Sequence, residues 1–254
     1  MKEFIYKILD IASMGRGLQR RVNGHNLRLP TRYFKYFPET YEAENFEFLK
    51  ESCKPGAVII DIGAHIGLFS IIAAQVTGKR GKLYAFEPAP GTFALLQQTV
   101  VINHEEQVIE TIQKAVGKEN GKITFFVSDN KADNSNSLVN YKEDRSLHGI
   151  DVAVTSIDNF VKEKNISKLN FIKIDVEGAE YDTLQGAVNT LKNLRPKCIV
   201  AIHPEPIAAK GDRLEDIYDF IVGCNYRIML DKKEFTKAAL LANSELIDLH
   251  IYPR

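Results

Sequence analysis

Two stretches of this sequence place acids and glycines where an apolar strand would hand over to a helix. Residues 58–67 read Val-Ile-Ile-Asp-Ile-Gly-Ala-His-Ile-Gly, an apolar run that ends in Asp61 and passes through Gly63 and Gly67 into an amphipathic pattern. A strand ending this way puts a nucleotide-like ligand at its carboxyl edge, where glycines let the backbone approach closely. The next apolar run closes Ala85-Phe86-Glu87-Pro88. Glu87 stands about 20 residues past Gly67, where an acid that reads a ribose belongs.

The glycine spacing narrows the ligand. A dinucleotide fingerprint begun at Gly63 needs glycine at 65 and 68, where this chain has His65 and Leu68, and no Lys-Ser or Lys-Thr pair follows to make a Walker loop. An adenosine without phosphate remains. S-adenosylmethionine fits, with its amino-acid tail at Asp61 and the Gly63 to Gly67 turn and its neighbouring ribose hydroxyls on the two oxygens of Glu87.

The second stretch, 170–180, reads Asn-Phe-Ile-Lys-Ile-Asp-Val-Glu-Gly-Ala-Glu. Alternation along a strand puts 173, 175 and 177 on one side if the extended geometry persists that far. Acids are ordinary near the positive end of a helix, but Asp175, Glu177 and Glu180 together exceed what the dipole asks for. A further apolar run, 197–202, leads into His203-Pro204-Glu205-Pro206. Asp175, Glu177 and His203 are therefore the candidates for taking a proton from a substrate hydroxyl. Imidazole, with an ordinary pKa near 6.5, serves without tuning, whereas a carboxylate must be buried to become basic enough, which favours His203 over Glu177. These groups could also ligate a divalent ion, but nothing in their spacing demands a metal. A lone histidine is more often structural than catalytic, and its place beside the Asp175 strand is what argues for chemistry.

These residues need a scaffold that brings strand ends to one edge. Short β-branched runs at 57–62, 82–86, 108–116, 169–176, 197–202 and 226–230 alternate with helical patterns at 68–76, 92–102, 179–191 and 214–222. Strand and helix in alternation mean a parallel sheet covered on both faces. Residues 122–127 read as a strand or hairpin arm, followed by a polar stretch to 146 of the length usual for functional lids or disorder. The first 55 residues hold no βαβ unit and are punctuated by Pro30, Pro38 and Pro55. We read 1–55 as a helical or hairpin cap and 56–254 as one α/β domain.

The cap carries Arg16, Arg20, Arg21, Arg28 and Arg32, then Tyr33, Phe34, Tyr36, Phe37 and Tyr41. Such a basic run is usually a solvated face, with recognition of an anionic acceptor as the alternative. The aromatic residues are expected to pack the cap onto the sheet, a sugar-stacking platform being the minority reading.

Composition excludes several classes. The 254 residues balance 33 Lys plus Arg against 33 Asp plus Glu, so no global field gathers nucleic acid or an anionic membrane, and no nucleic-acid partner is expected. Three scattered cysteines, Cys53, Cys198 and Cys224, form neither a disulfide framework nor a zinc pattern. The helically spaced start is unlike a signal peptide, and no run approaches the roughly 18 apolar residues of a membrane span. The expectation is a soluble cytoplasmic protein.

Taken together, DIGAHIG, AFEP, SIDNF, IKIDVEGAE with Leu184-Gln185-Gly186-Ala187, and IHPE resemble the FkbM family of class I S-adenosylmethionine-dependent methyltransferases over roughly residues 55 to 210. The resemblance implies a Rossmann-like, doubly wound, mostly parallel seven-stranded sheet whose final antiparallel strand would be 246–252. It implies methyl transfer to a hydroxyl of a glycan, sugar or secondary metabolite. Carried onto this chain, it puts Asp61, Gly63 and Gly67 around the methionine portion of the cofactor, Glu87 on the ribose, and Asp175 and Glu177 facing the reacting methyl. Where the family often has Asn in the glycine turn, this chain has His65, which would contact the cofactor in its own way. Asn136 and Ser137 match a small polar element before SIDNF, with cofactor contact implied. Two other classes stay open at this point: a nucleotide-dependent oxidoreductase on a similar sheet, and a non-catalytic module that keeps the pocket.

Overall fold

In a computed structural model of the chain, residues 6, 8–9, 11–128 and 147–254 are described. Helical residues at 6, 8–9 and 11–12 precede an antiparallel hairpin, β1 (Leu18–Val22) and β2 (His25–Leu29), a 3-10 turn at Thr31–Tyr33, and α1 (Ala43–Ser52). There follow β3 (Val58–Ile62), α2 (Leu68–Thr77), β4 (Lys82–Phe86), α3 (Pro90–Ile102) and β5 (Ile109–Ile112). A side sheet is built from β6 (Ala115–Val116), β7 (Gly121–Ser128) and β8 (Leu147–Thr155), after which α4 (Ile157–Glu163) leads to β9 (Phe171–Ile174). The remainder is α5 (Glu180–Gln185), α6 (Val188–Asn193), β10 (Lys197–Ile202), α7 (Pro204–Lys210), α8 (Leu214–Gly223), β11 (Tyr226–Leu230), β12 (Lys233–Glu234), α9 (Lys237–Leu241) and β13 (Ile247–Pro253).

The main sheet runs β12-β11-β13-β10-β9-β3-β4-β5, with β10, β9, β3, β4 and β5 parallel and β13 antiparallel between β10 and β11. The architecture is the expected doubly wound Rossmann-like sheet with its antiparallel closing strand, extended at one edge by the two residues of β12. Strand order reverses between β3 and β9, and such a switch point opens a crevice beyond the carboxyl ends of the strands. Asp61, Glu87, Asp175 and His203 all stand at or just past those ends.

Alternation along β3 explains why its run is apolar throughout. Ile59 joins one core with Phe46, Leu49, Ile71 and Leu83, while Ile60 and Ile62 join the other with Ile172, Val200 and Leu184. A strand covered on both faces has no solvent side to mark with polar residues. The first core also takes in Val22, Leu27, Leu29, Tyr33 and Phe37, so the hairpin and α1 share the hydrophobic interior of one sheet face.

Three expected elements are divided or shortened. The run 108–116 is two strands, β5 in the main sheet and β6 in the side sheet. The helical pattern 179–191 breaks at Gly186, whose carbonyl accepts the Asp158 N–H at 2.8 Å. There, a Cβ would lie 2.1 Å from the Gly117 carbonyl oxygen. Asp158 then caps α6, accepting the Asn189 and Thr190 N–H groups at 2.9 and 2.8 Å. Finally, β9 ends at Ile174, because Glu177 and Gly178 turn with φ of 25° and 100°.

Candidate active site

The turn after β3 folds back over β4. Gly63 and Ala64 donate their N–H groups to the Phe86 carbonyl at 3.1 and 2.9 Å, and Asp175 N–H reaches the Ile62 carbonyl at 3.0 Å. Gly63 has φ 78°, and a Cβ there would fall 1.8 Å from the Asp175 carbonyl oxygen. Only glycine allows the ends of β3 and β9 to come so close. Gly67, with φ 90°, serves the chain in the same manner, since its Cβ would meet Leu96 Cδ1 at 2.7 Å.

Glu87 clips this turn to the end of β4. Its Oε2 accepts the His65 N–H at 3.1 Å and its Oε1 the Ala89 N–H at 3.0 Å. Burial drives its carboxyl up to about 7 against the pull of those two N–H groups. Asp61, fully buried, accepts the Ser70 hydroxyl at 2.5 Å on Oδ2. Burial raises Asp61 to about 6, opposed by the charge of Lys173. His65, at φ 51°, stands edge-on to Tyr33, and burial lowers it to about 4.

Lys173 and Asp175 form an ion pair, Nζ to Oδ2 at 2.5 Å, with the lysine side chain 5% exposed. Burial works against both charges and is overcome: Asp175, Asp61 and Glu42 hold Lys173 above its ordinary range, and Lys173 holds Asp175 below its own. His203 has Nδ1 2.7 Å from Oε1 of the fully buried Glu180, and Nε2 3.7 Å from Asp175 Oδ1. Burial lowers its pKa, but the Glu180 hydrogen bond and charge, with Asp175 and Glu177, outweigh it and leave it raised.

These side chains share one cavity of about 270 Å³. Asp61, Gly63, His65, Glu87, Asp175, Glu177 and His203 all line it. Gly67 does not, being taken up by the packing against Leu96. Asn136 and Ser137 fall outside the described residues. The cavity wall also includes residues that sequence reasoning did not assign to it: Lys173, Glu42, Phe46, Phe125 and Asp248. Tyr33, Phe37 and Tyr41 pack the cap onto the sheet core as expected, whereas Tyr36 is exposed; Phe37 and Tyr41 meet edge to face at 5.0 Å and reach the same wall. No arginine of the basic cluster does. Arg20 donates to the Phe37 carbonyl at 2.9 Å, Arg28 to those of Arg16 and Gly17, and Arg21 pairs with Glu39 at 3.7 Å.

The chemistry of the cavity suits a sulfonium nucleoside carrying an amino acid. Asp61 Oδ1 and His65 Nε2 are buried and without a hydrogen-bond partner. An acceptor such as Asp61 Oδ1 matches an ammonium group, and Glu87 keeps one acceptor direction on each oxygen for a hydroxyl. Among the described residues no group of three or more His, Cys, Asp or Glu is arranged to hold a metal ion.

Fold and site thus define a class I methyltransferase type of α/β domain. The FkbM methyltransferase domain matches residues 61–228, and the chain belongs to that family. It is similar to the hexuronic acid methyltransferase AglP of Haloferax volcanii, 26% identical over 163 residues that make up 64% of this chain and 62% of that protein. It is 28% identical to the 2-O-methyltransferase NoeI of Sinorhizobium fredii over 154 residues, 56% of this chain and 62% of the relative. The chain thus spans about three-fifths of these curated relatives. Its fold is shared with an FkbM methyltransferase from Methylobacillus flagellatus, with a TM-score of 0.50 at 18% identity, covering 82% of this chain and 50% of that one. Membership of this family removes the oxidoreductase reading. Among the described residues no helix is long and apolar enough to cross a membrane.

Proposed function

We propose that this chain is an S-adenosylmethionine-dependent O-methyltransferase of the cytoplasm, acting on a hydroxyl of a small-molecule or glycan acceptor. The observation that carries the reading is the meeting of Asp61, Glu87, Asp175 and His203 in one cavity beyond the switch point of the sheet. Two relatives are named for methylation of a hexuronic acid and for 2-O-methylation, which supports an oxygen nucleophile on a sugar-like acceptor. The N-terminal segment serves as a cap that brings Phe37, Tyr41, Glu42 and Phe46 to the cavity wall.

In this reading Asp61, His65 and the Gly63 turn hold the amino-acid tail, and Glu87 accepts from the ribose hydroxyls. When bound, S-adenosylmethionine supplies a methyl group on a sulfonium, a good electrophile for in-line displacement. The protein's part is to hold the acceptor oxygen in line and to receive its proton. His203 Nε2 takes that proton. Asp175 is committed to Lys173 and shapes the field around the reacting atoms instead of serving as the base, while Glu177 lines the acceptor side.

Calorimetry with S-adenosylmethionine and S-adenosylhomocysteine tests the first half of the proposal, and absence of binding by both in folded protein overturns it. Mass spectrometry of hydroxylated metabolites and glycans after incubation with isotopically labelled donor tests the second. His203→Gln should lower turnover about 100-fold, the scale of a lost general base, while leaving the affinity for S-adenosylhomocysteine within about twofold. A variant as fast as the wild type would remove His203 from the chemistry.

A further inference from the structure

We propose that Glu180 is the positioning residue for His203, fixing the imidazole so that the lone pair of Nε2 faces the cavity. This rests on the reading of His203 as the base.

Glu180 is the first residue of α5 and its side chain is fully buried. Each carboxylate oxygen has one donor: Oε2 accepts the Gly178 N–H at 2.9 Å, and Oε1 lies 2.7 Å from His203 Nδ1. An ionised carboxylate only accepts, so Nδ1 must donate, and a neutral imidazole with its proton on Nδ1 carries its lone pair on Nε2. That nitrogen stands 3.7 Å from Asp175 Oδ1, beyond hydrogen-bond range. His203 lines the cavity.

The backbone holds both partners. His203 is the residue before α7 and accepts the Ile207 N–H on its carbonyl at 3.1 Å. Gly178 packs against that same turn, where a Cβ would lie 3.0 Å from Pro206 Cβ and 3.2 Å from its carbonyl oxygen. The starts of α5 and α7 are therefore pressed together, and the pair that spans them is set by main-chain packing. A base oriented by a third group is the usual arrangement for activating an oxygen nucleophile.

The acids facing His203 are Glu180 from α5, Asp175 and Glu177 from the turn after β9, and Asp248 from β13, while Lys173 of β9, paired with Asp175, is a cation of the same cavity. The hydrogen bond and charge of Glu180, with Asp175 and Glu177, keep the imidazole above its ordinary 6.5 in spite of burial. Removing the Glu180 charge must then lower the histidine.

The test is ¹⁵N NMR of the full chain with labelled histidine, the His203 signals being assigned by their loss in His203→Gln. We expect the neutral wild-type ring to carry its proton on Nδ1. In Glu180→Gln the single amide oxygen cannot accept from both the Gly178 N–H and Nδ1, so the constraint on the tautomer is lost, and with the charge gone the histidine pKa falls. The acidic limb of the kcat profile moves down in pH with it, kcat drops about tenfold or more, and KM for the methyl donor is unchanged. A wild-type proton on Nε2, or a histidine titration in Glu180→Gln identical to that of the wild type, overturns the proposal. The wild-type tautomer decides it even if the variant fails to fold. Should the tautomer and the pKa shift both appear while His203→Gln still transfers methyl groups, the positioning stands and the assignment of the base falls.

Discussion

Lys173 Nζ lies 2.5 Å from Asp175 Oδ2 with almost no access to solvent, while the carboxylate it holds is 33% exposed toward the cavity. The lysine also lies 5.6 Å from the centre of the Phe69 ring. A buried cation here keeps Asp175 ionised and reduces the cost of Asp61 beside it in the sheet, where residues 61 and 173 are register partners.

Replacing one partner of such a pair leaves the other charge stranded. Lys173→Met is expected to destabilise the fold by about 3 kcal/mol in urea unfolding at pH 7, as for other buried pairs that lose one member. Adding Asp175→Asn should recover part of that loss. Losses that simply add would mean the two side chains are not coupled.

With Glu87 on the ribose, as proposed, cofactor binding should be pH-dependent. Its pKa in the free protein is about 7, above the 4.5 of the unfolded chain, so its contribution to stability is present below pH 4.5 and is lost as the pH rises through 7. Ribose hydroxyls donating to it would favour the charged form, so binding releases a proton and affinity for S-adenosylhomocysteine rises between pH 6 and 8. Calorimetry in two buffers of different ionisation enthalpy measures that proton. Glu87→Gln should flatten the pH dependence and weaken binding by roughly 10- to 100-fold, the scale of hydrogen bonds to a charged group.

Gly63→Ala tests the close approach of β3 and β9. The new methyl group would lie 1.8 Å from the Asp175 carbonyl oxygen in a left-handed backbone. A loss of more than about 3 kcal/mol follows, because the obstacle is main chain and cannot swing aside. A thermal midpoint within a few degrees of wild type would contradict the turn geometry.

His65 has the opposite sign to Glu87. Lowered from 6.5 to about 4, it favours the fold fully above pH 6.5 and progressively less as the pH falls toward 4. In His65→Asn, the decline of thermal stability between pH 6.5 and 4 should be shallower than in the wild type. Parallel curves for the two proteins would show that His65 takes up its proton in the folded state.

The sequence by itself determined the alternation of strand and helix and which polar residues stand near the carboxyl ends of the strands. Asp61, Glu87, Asp175 and His203 stand at or just past the ends of apolar runs, where a strand covered on both faces gives way to polar residues. The same local rule found the glycine turns but gave Gly67 to the ligand, whereas the fold uses it to admit Leu96. Tertiary structure alone decided the partners. Glu180 and His203 are 23 residues apart and meet because α5 and α7 start side by side past adjacent strands. Lys173 reads as one alternating position of an apolar strand until β9 is laid beside β3 and its ammonium is enclosed by Asp61, Asp175 and Glu42. Tyr41, Glu42 and Asp248 come to the cavity from opposite ends of the chain, with Asn45 Nδ2 donating to Asp248 at 2.8 Å and to Glu42 at 3.2 Å. Local pattern fixes where a strand ends, but a contact between distant segments depends on strand register and helix packing, which no short stretch of sequence contains.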